Sequence, residues 1–437
     1  MTNKIKSIMW VLFLPTFLYS SDFRVGVTKV NITPNTSQNL IGYGPRDSKG
    51  VLDSIYHRIV VLEDGIDRFA LVSSDLAAIS PATYQNAAKR IKSLYDVNEQ
   101  DLWWTNTHTH SAPEVGSAGV IPYFLGERYE HEYDRAYTKF VEDMLVKGIG
   151  LAIEKLELAK LGVGWGYSRA NINRRARGID DKTFLGENPD GPIDRKIGLI
   201  RFENEIGKPI VLISNYPIHG TVLSISDLRI SGDVPGVVSN YVEEKIGAPL
   251  LFINGAEGNI APRFSISINN SGNKEKFLNQ FKRLLGDKIL EANENIISTT
   301  ENVKFRTRQI VIETPLKNGL DANAWPEDMD SYLRINSAGE GIIRMPINFL
   351  MINKDLAIWS APLELFCEIS NEIRAHSPFP YTFYYGIANG TLGYLPTEAE
   401  FKLGGYEPGV SPFSVKAGDH LIKEVSNVLE EEDRIRD

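Results

Sequence analysis

The sequence predicts an α/β fold: mixed β-sheets flanked by helices, within a single large domain. Three observations predict it. Aromatic and β-branched runs alternate with helically spaced apolar stretches to the end of the chain. No internal repeat or low-complexity linker interrupts the 437 residues, which suffice for one large or two ordinary domains. Several apolar runs also stop at a proline or small-residue loop carrying one polar side chain, as the strand-end loops of sheet enzymes do. Apolar residues at 42% and charged residues at 24% are values for a soluble globular protein. A net charge of -9 without a basic stripe excludes a nucleic-acid partner. The single cysteine, Cys367, excludes an intrachain disulfide and a thiolate metal cluster.

Residues 1–21 read as an export signal: Lys4 and Lys6, an apolar core over 8–17, and small residues Ser20 and Ser21 at the cleavage point. That core is too short to span a membrane, so a periplasmic or secreted protein with its domain over 22–437 is expected. The mature chain opens on an alternating strand over 23–30. Residues 58–62 and 69–73 flank the Asp64-Gly65 turn signal as a hairpin. Asp75, which ends the second strand, is read as a functional polar group or a helix cap. Helical spacing runs over 81–94, and an aromatic strand follows over 103–110. A long amphipathic helix covers 133–156, and 161–168 alternates around glycines. Residues 169–177 read as a basic, structureless stretch. Strands are expected at 199–202, 209–214, 249–253, 304–313, 342–352, 355–359 and 381–386, with helices at 234–245, 274–293, 365–376 and 417–432.

The stretch Trp103 to Pro113 organises the functional reading. If strand geometry persists through His108-Thr109-His110, both imidazoles share one face, because side chains repeat every two residues. Neutral imidazoles on one face suit a first-row metal ion. His108, His219 and Glu364 each sit in a small-residue or proline loop after an apolar strand, a setting that gathers groups at one sheet edge. His57, His131, His376 and His420 lack that setting and read as structural.

These motifs resemble those of the neutral/alkaline non-lysosomal ceramidases, zinc-dependent amidases that cleave the N-acyl bond of ceramide. Thr107-His108-Thr109-His110-Ser111 matches that family's Thr-His-Thr-His-Ser signature. The segment from Tyr216 to Thr221 resembles its second histidine segment, and Ile230-Ser231-Gly232-Asp233 its Ser-Gly-Asp turn. Pro362-Leu363-Glu364 stands where the family has Pro-Gly-Glu, and Tyr394-Leu395-Pro396-Thr397 where it has Tyr-Val-Thr-Thr. Tyr406 keeps the later spacing of its Arg-Tyr-Glu, and Asn171-Ile172-Asn173-Arg174 is a weaker match. The resemblance runs from the mature N-terminus to about Tyr406, the family's catalytic domain, and the family's C-terminal immunoglobulin-like domain is not expected here.

By that resemblance His108, His219, Glu364 and Tyr394 hold Zn2+, while His110, Tyr406 and Arg174 face the substrate. It implies hydrolysis of a ceramide or related N-acyl lipid by a metal-activated water, with peripheral contact at a membrane surface. Two departures stand out. Ala261 replaces the family's serine implicated in catalysis, and Asn259 replaces an acidic neighbour, so an acyl-enzyme at position 261 is excluded. Two other readings stay open: a hydrolase of the same scaffold acting on another ester or amide, or a binding protein that keeps the metal without turnover.

Overall fold

Three times along the chain a strand, a covering helix and a parallel strand follow one another. The units are Arg68–Ser74, Pro81–Tyr95 and Leu102–Asn106; Pro209–Tyr216, Asp233–Ile246 and Leu250–Asn254; and Leu356–Ser360, Cys367–His376 and Tyr381–Tyr385. The computed structural model describes residues 22–435 apart from 118, 130, 180–181 and 267–272, so the expected export signal over 1–21 lies outside the described residues. Each parallel pair is extended by antiparallel neighbours. Tyr56–Glu63 and Arg24–Asn31 extend the first, Lys196–Glu203 and Lys160–Tyr167 the second, and Gly341–Ile352 and Phe305–Pro315 the third. The fold is therefore α/β with mixed sheets flanked by helices.

The inner faces of the three sheets share one apolar core, and helices cover their outer faces. Adjacent tryptophans show how the sequence builds both layers, since successive strand side chains point to opposite faces. Trp103 enters the shared core against Phe69 and Tyr385. Trp104 lies on the outer face, where its Nε1 donates to Ser74 Oγ at 2.7 Å. The helix that covers this face begins with Pro81 at its first position, and the Ser80 side chain accepts from Thr83 N.

The carboxyl ends of the parallel strands meet at one place. Asn254 donates from Nδ2 to Thr107 O at 3.1 Å and Ile218 O at 2.9 Å, and its own carbonyl accepts from Gly386 N at 2.9 Å. One residue, through its side chain and its backbone carbonyl, so joins the ends of all three sheets.

Four expectations are corrected. The strand expected over 103–110 ends at Asn106, because Thr107 and His108 turn back to bond Ser74 O and Leu76 O. Residues 171–177 are not structureless but form the central strand of a three-stranded sheet with Thr183–Asn188 and Ile260–Pro262. Its arginines are neutralised rather than solvated: Arg175 pairs with Glu400 at 2.6 Å and Glu407 at 2.5 Å. The helix expected over 274–293 is interrupted by a π turn, Lys282–Gly286, where Tyr241 of the neighbouring helix bonds Asp287. Asp75 caps no helix; it accepts from buried Arg58 at 2.8 Å and from Tyr56 N at 3.0 Å.

His57 is wholly buried between the first sheet and the helix Arg135–Ile153, with Nδ1 2.6 Å from Ser74 Oγ and Nε2 3.1 Å from Val141 O. Burial pushes its pKa from 6.5 down to about 4. Between those values the unfolded chain binds a proton that the folded chain does not. This contribution to stability is therefore complete above about pH 6.5 and lost as the pH falls toward 4, by about 3 kcal/mol. His57→Gln is expected to flatten the acid side of the stability profile relative to the wild type. Urea unfolding at pH 7 and pH 4.5 measures this, and equal acid sensitivity of the two proteins would refute it.

Candidate metal centre

His108 adopts φ 60°, a left-handed conformation that costs a non-glycine residue on the order of 1–3 kcal/mol. That turn, not strand alternation, brings its ring beside His110, with ring centres 4.9 Å apart. His108 N donates to Leu76 O at 2.9 Å, and its Nδ1 lies 2.8 Å from Ala77 O. The His219 loop lies alongside: His110 N donates to Gly220 O at 2.9 Å and Gly220 N to His108 O at 3.2 Å. A Cβ on Gly220 would lie 2.6 Å from Thr109 Cα, so the two histidine loops meet this closely only with glycine there. Asp233 accepts from Val222 N and Leu223 N and so holds the loop after His219, while Ser231 O accepts from Thr109 Oγ1.

His219 is wholly buried, with Nδ1 2.9 Å from Ile260 O. Both His108 and His219 thus donate from Nδ1 to a backbone carbonyl, which leaves Nε2 with its lone pair. These two Nε2 atoms lie 3.1 and 3.4 Å from the same oxygen, Oε2 of Glu364. His219 Nε2 and Glu364 Oε2 are buried and complete no hydrogen bond. Donor atoms that converge in this way fit a cation, and the donor set of imidazole and carboxylate fits a first-row divalent one. His110 adds a third nitrogen: the ligand atoms of His108, His110 and His219 all lie within 4.8 Å of one another.

The electrostatics follow from this packing. Burial alone would raise the Glu364 pKa, but the facing His108 and His219 hold it well below the usual carboxylate range. Burial and the Arg174 charge push His219 down to about 3. Burial, reinforced by His108 and His219, holds His110 well below its ordinary value, so its ring is neutral.

The remaining predicted residues stand around this cluster. Glu364–Leu365 pairs in parallel with Tyr394–Leu395, which sets Tyr394 directly beside Glu364. Burial and Glu364 push the Tyr394 hydroxyl well above its usual pKa. The Arg174 guanidinium stands 5.5 Å from the Tyr394 ring centre; its Nε donates to Glu407 at 2.9 Å, and its Nη2 is buried without a partner. Tyr406, about a third exposed, packs against Tyr394 and has its pKa pushed up to about 12 by burial and Glu364. A cleft with about 580 Å³ of free space, open solvent included, leads to His108, His110 and Glu364 between Ile41, Tyr129 and Tyr406.

The family model described as "Neutral/alkaline non-lysosomal ceramidase, N-terminal" matches residues 23–274. The chain belongs to the neutral/alkaline non-lysosomal ceramidase family. A neutral ceramidase from Pseudomonas aeruginosa is 25% identical over 271 residues, covering 59% of this chain and 40% of that protein. One from Oryza sativa subsp. japonica is 24% identical over 246 residues, covering 53% of this chain and 30% of its own length. The match thus spans well under half the length of these curated relatives. The crystal structure of the Pseudomonas aeruginosa neutral ceramidase shares the fold at a TM-score of 0.72 and 20% identity, over 94% of this chain and 75% of that one. A structure titled "Ceramidase complexed with C2" superposes at a TM-score of 0.74 and 18% identity, over 94% of this chain and 76% of that one.

The structure shows where Asn259 and Ala261 stand, beside the Arg174 strand. Asn259 Oδ1 accepts from Cys367 N at 3.0 Å, its Nδ2 donates to Glu368 at 2.7 Å, and its carbonyl accepts from Arg174 N at 2.9 Å. Asn259 therefore ties the Arg174 strand to the start of the helix Cys367–His376. Ala261 is buried opposite Ile172 in the same small sheet. Two acidic residues were missed by sequence reasoning. Glu114 lines the cleft and pairs with His131. Glu257 is wholly buried near His108 and Glu364, and burial and Glu364 push its pKa up to about 8. It follows the strand Leu250–Asn254 through Gly255 and Ala256, the same strand-end, small-residue setting that marked His219 and Glu364.

Proposed function

We propose that this chain is a zinc-dependent amidohydrolase that cleaves the N-acyl amide bond of ceramide or a related N-acyl lipid. The observation that carries the reading is the convergence of two imidazole Nε2 atoms on one carboxylate oxygen, with His219 Nε2 and Glu364 Oε2 lacking hydrogen-bond partners, in a ceramidase-family chain. His108, His219, Glu364 and Tyr394 would hold the ion, which accepts nitrogen and oxygen donors. Zinc held there supplies Lewis acidity and a water whose pKa is lowered to about 7. In the net reaction water adds to the amide carbonyl carbon, the C–N bond breaks, and the amine leaves with a proton.

His110 and Tyr406 hydrogen-bond the oxygen that gains charge or deliver that proton to the leaving amine. Arg174, with Nη2 unpartnered beside Tyr394, donates a charged hydrogen bond to the same polar end of the substrate. Ala261 carries no nucleophile, so no acyl group is transferred to it. On this reading residues 22–437 act as one hydrolase domain exported behind residues 1–21, meeting lipid peripherally at a membrane surface. No described helix is long and apolar enough to cross a membrane.

The alanine at 261 favours a second reading, the same scaffold acting on another ester or amide. A panel of ceramides, N-acyl amino sugars and carboxylic esters, each with a chelator control, separates the two. Chelator-sensitive turnover of ceramide supports the first, and chelator-sensitive turnover of another class supports the second. Stoichiometric zinc without turnover of any compound would replace both with a binding role.

Metal removal has its own expected outcome. A ligand present at a thousand times its dissociation constant stabilises the folded state by about 4 kcal/mol. For a chain of this size that corresponds to a thermal midpoint lowered by about 3–6 °C on chelation and restored by added zinc. Differential scanning fluorimetry reads this directly; a midpoint indifferent to chelator and zinc would count against the site.

A further inference from the structure

The sequence resemblance gave the site one carboxylate, but the structure puts a second one there. Glu257 lies on the loop between Leu250–Asn254 and Ile260–Pro262, with its whole side chain buried. Both of its carboxylate oxygens lack a hydrogen-bond partner. One of them lies within 4.8 Å of a ligand nitrogen of His108 and an oxygen of Glu364. The loop is clamped against the Glu364 strand: Gly258 N donates to Leu365 O at 2.9 Å, and a Cβ on Gly258 would lie 2.4 Å from Glu364 O. The carboxylate is thus held at the site by backbone packing and not by any bond of its own.

A buried carboxyl group without a hydrogen bond costs free energy in either protonation state, and a fold keeps one only where something else compensates. Arg174 does not do so by a hydrogen bond, since both Glu257 oxygens lack a partner and its Nε goes to Glu407. A bound divalent ion does. Two donor atoms of one such ion, each at about 2.0–2.2 Å, stand at most about 4.4 Å apart, and the Glu257, His108 and Glu364 ligand atoms lie together within 4.8 Å. Charge points the same way, since two carboxylates neutralise a divalent cation and one does not.

The geometry points to Glu257 as a second carboxylate ligand of the same ion, alongside His108 and Glu364. This rests on the metal-site reading above and deepens it. A second carboxylate also widens the accepted ions toward manganese, for which carboxylate ligands are well suited.

The test uses full-length protein stripped by chelator and titrated with Zn2+ and Mn2+, for the wild type, Glu257→Gln and Glu364→Gln. Binding is followed by calorimetry and by metal content. With Glu257→Gln the metal-free protein is expected to melt no lower than the metal-free wild type, because the Glu257 side chain has no hydrogen bond to lose. Its affinity for both ions falls by at least about 10-fold, the lower end of losses for residues that only support a ligand. A residue with a purely structural role would lower the metal-free midpoint instead. Cobalt-loaded protein gives a second readout: the visible absorption of the wild type reports a higher coordination number than that of Glu257→Gln. Wild-type affinity and an unchanged cobalt spectrum in Glu257→Gln, with binding lost in Glu364→Gln, overturn this inference and leave the site reading standing. If the wild type itself binds neither ion, the site reading falls and this inference with it.

Discussion

Glu364→Ala is expected to leave a folded protein that retains no stoichiometric zinc and has lost hydrolysis of the wild-type substrate by roughly a thousandfold or more. The size follows from the chemistry at stake. Lowering the pKa of an attacking water from 15.7 to about 7 is a change of many kcal/mol, and about 4 kcal/mol already accounts for three decades of rate. The folded state should tolerate the change, since the substitution removes a buried carboxylate whose Oε2 completes no hydrogen bond. His219→Ala is expected to behave alike, because its Nε2 faces the same oxygen at 3.4 Å. Metal analysis, circular dichroism and turnover on the same preparations decide the matter. A variant that keeps both zinc and activity would exclude Glu364 as a ligand, whatever the family resemblance implies.

The parts of this site legible in the sequence were those written in local pattern. An apolar strand ending in a small-residue loop with one polar side chain identified the loops of His108, His219 and Glu364, because the carboxyl ends of three parallel pairs are where such loops gather. The pairing of Trp103 with the inner core and Trp104 with the outer layer also follows from a two-residue period. What stayed illegible depends on tertiary partners. The His108 ring reaches the site through a left-handed turn whose cost is met by bonds to Leu76, Ala77 and Gly220, residues distant in sequence. The stretch over 171–177 looked like solvated charge because its partners, Glu400 and Glu407, lie more than two hundred positions away. Glu257 carries the same local signal as its neighbours, but a lone glutamate in a loop is usually a surface residue.

Arg58→Met is expected to be the most damaging single change outside the site, destabilising the protein by about 3–5 kcal/mol. Arg58 is essentially unexposed on the strand Tyr56–Glu63, where its Nη1 pairs with Asp75 at 2.8 Å and its Nε with Glu243 at 2.7 Å. Its Nη2 donates to Asn240 at 2.9 Å, so one guanidinium ties the first sheet to the helix Asp233–Ile246 that covers the second. Methionine fills much of the same volume, so the loss comes from the charge left behind and not from a cavity. Asp75, wholly buried, would keep only the Tyr56 N–H as a partner. The thermal midpoint should drop by about 3–6 °C for a chain of this length. Asp75→Asn on the Arg58→Met background should then recover part of the loss, on the order of 1–3 kcal/mol, because the stranded charge is removed. The effect reaches the metal centre as well. Asp75 begins the turn whose next two carbonyls, Leu76 O and Ala77 O, accept from the backbone and ring of His108. Metal affinity in Arg58→Met should therefore fall although no ligand has been touched, and should rise again in the double variant. An Arg58→Met protein within about 1 kcal/mol of the wild type, below the range for breaking a buried pair, would mean that water replaces the guanidinium and that Asp75 is less enclosed than its packing implies.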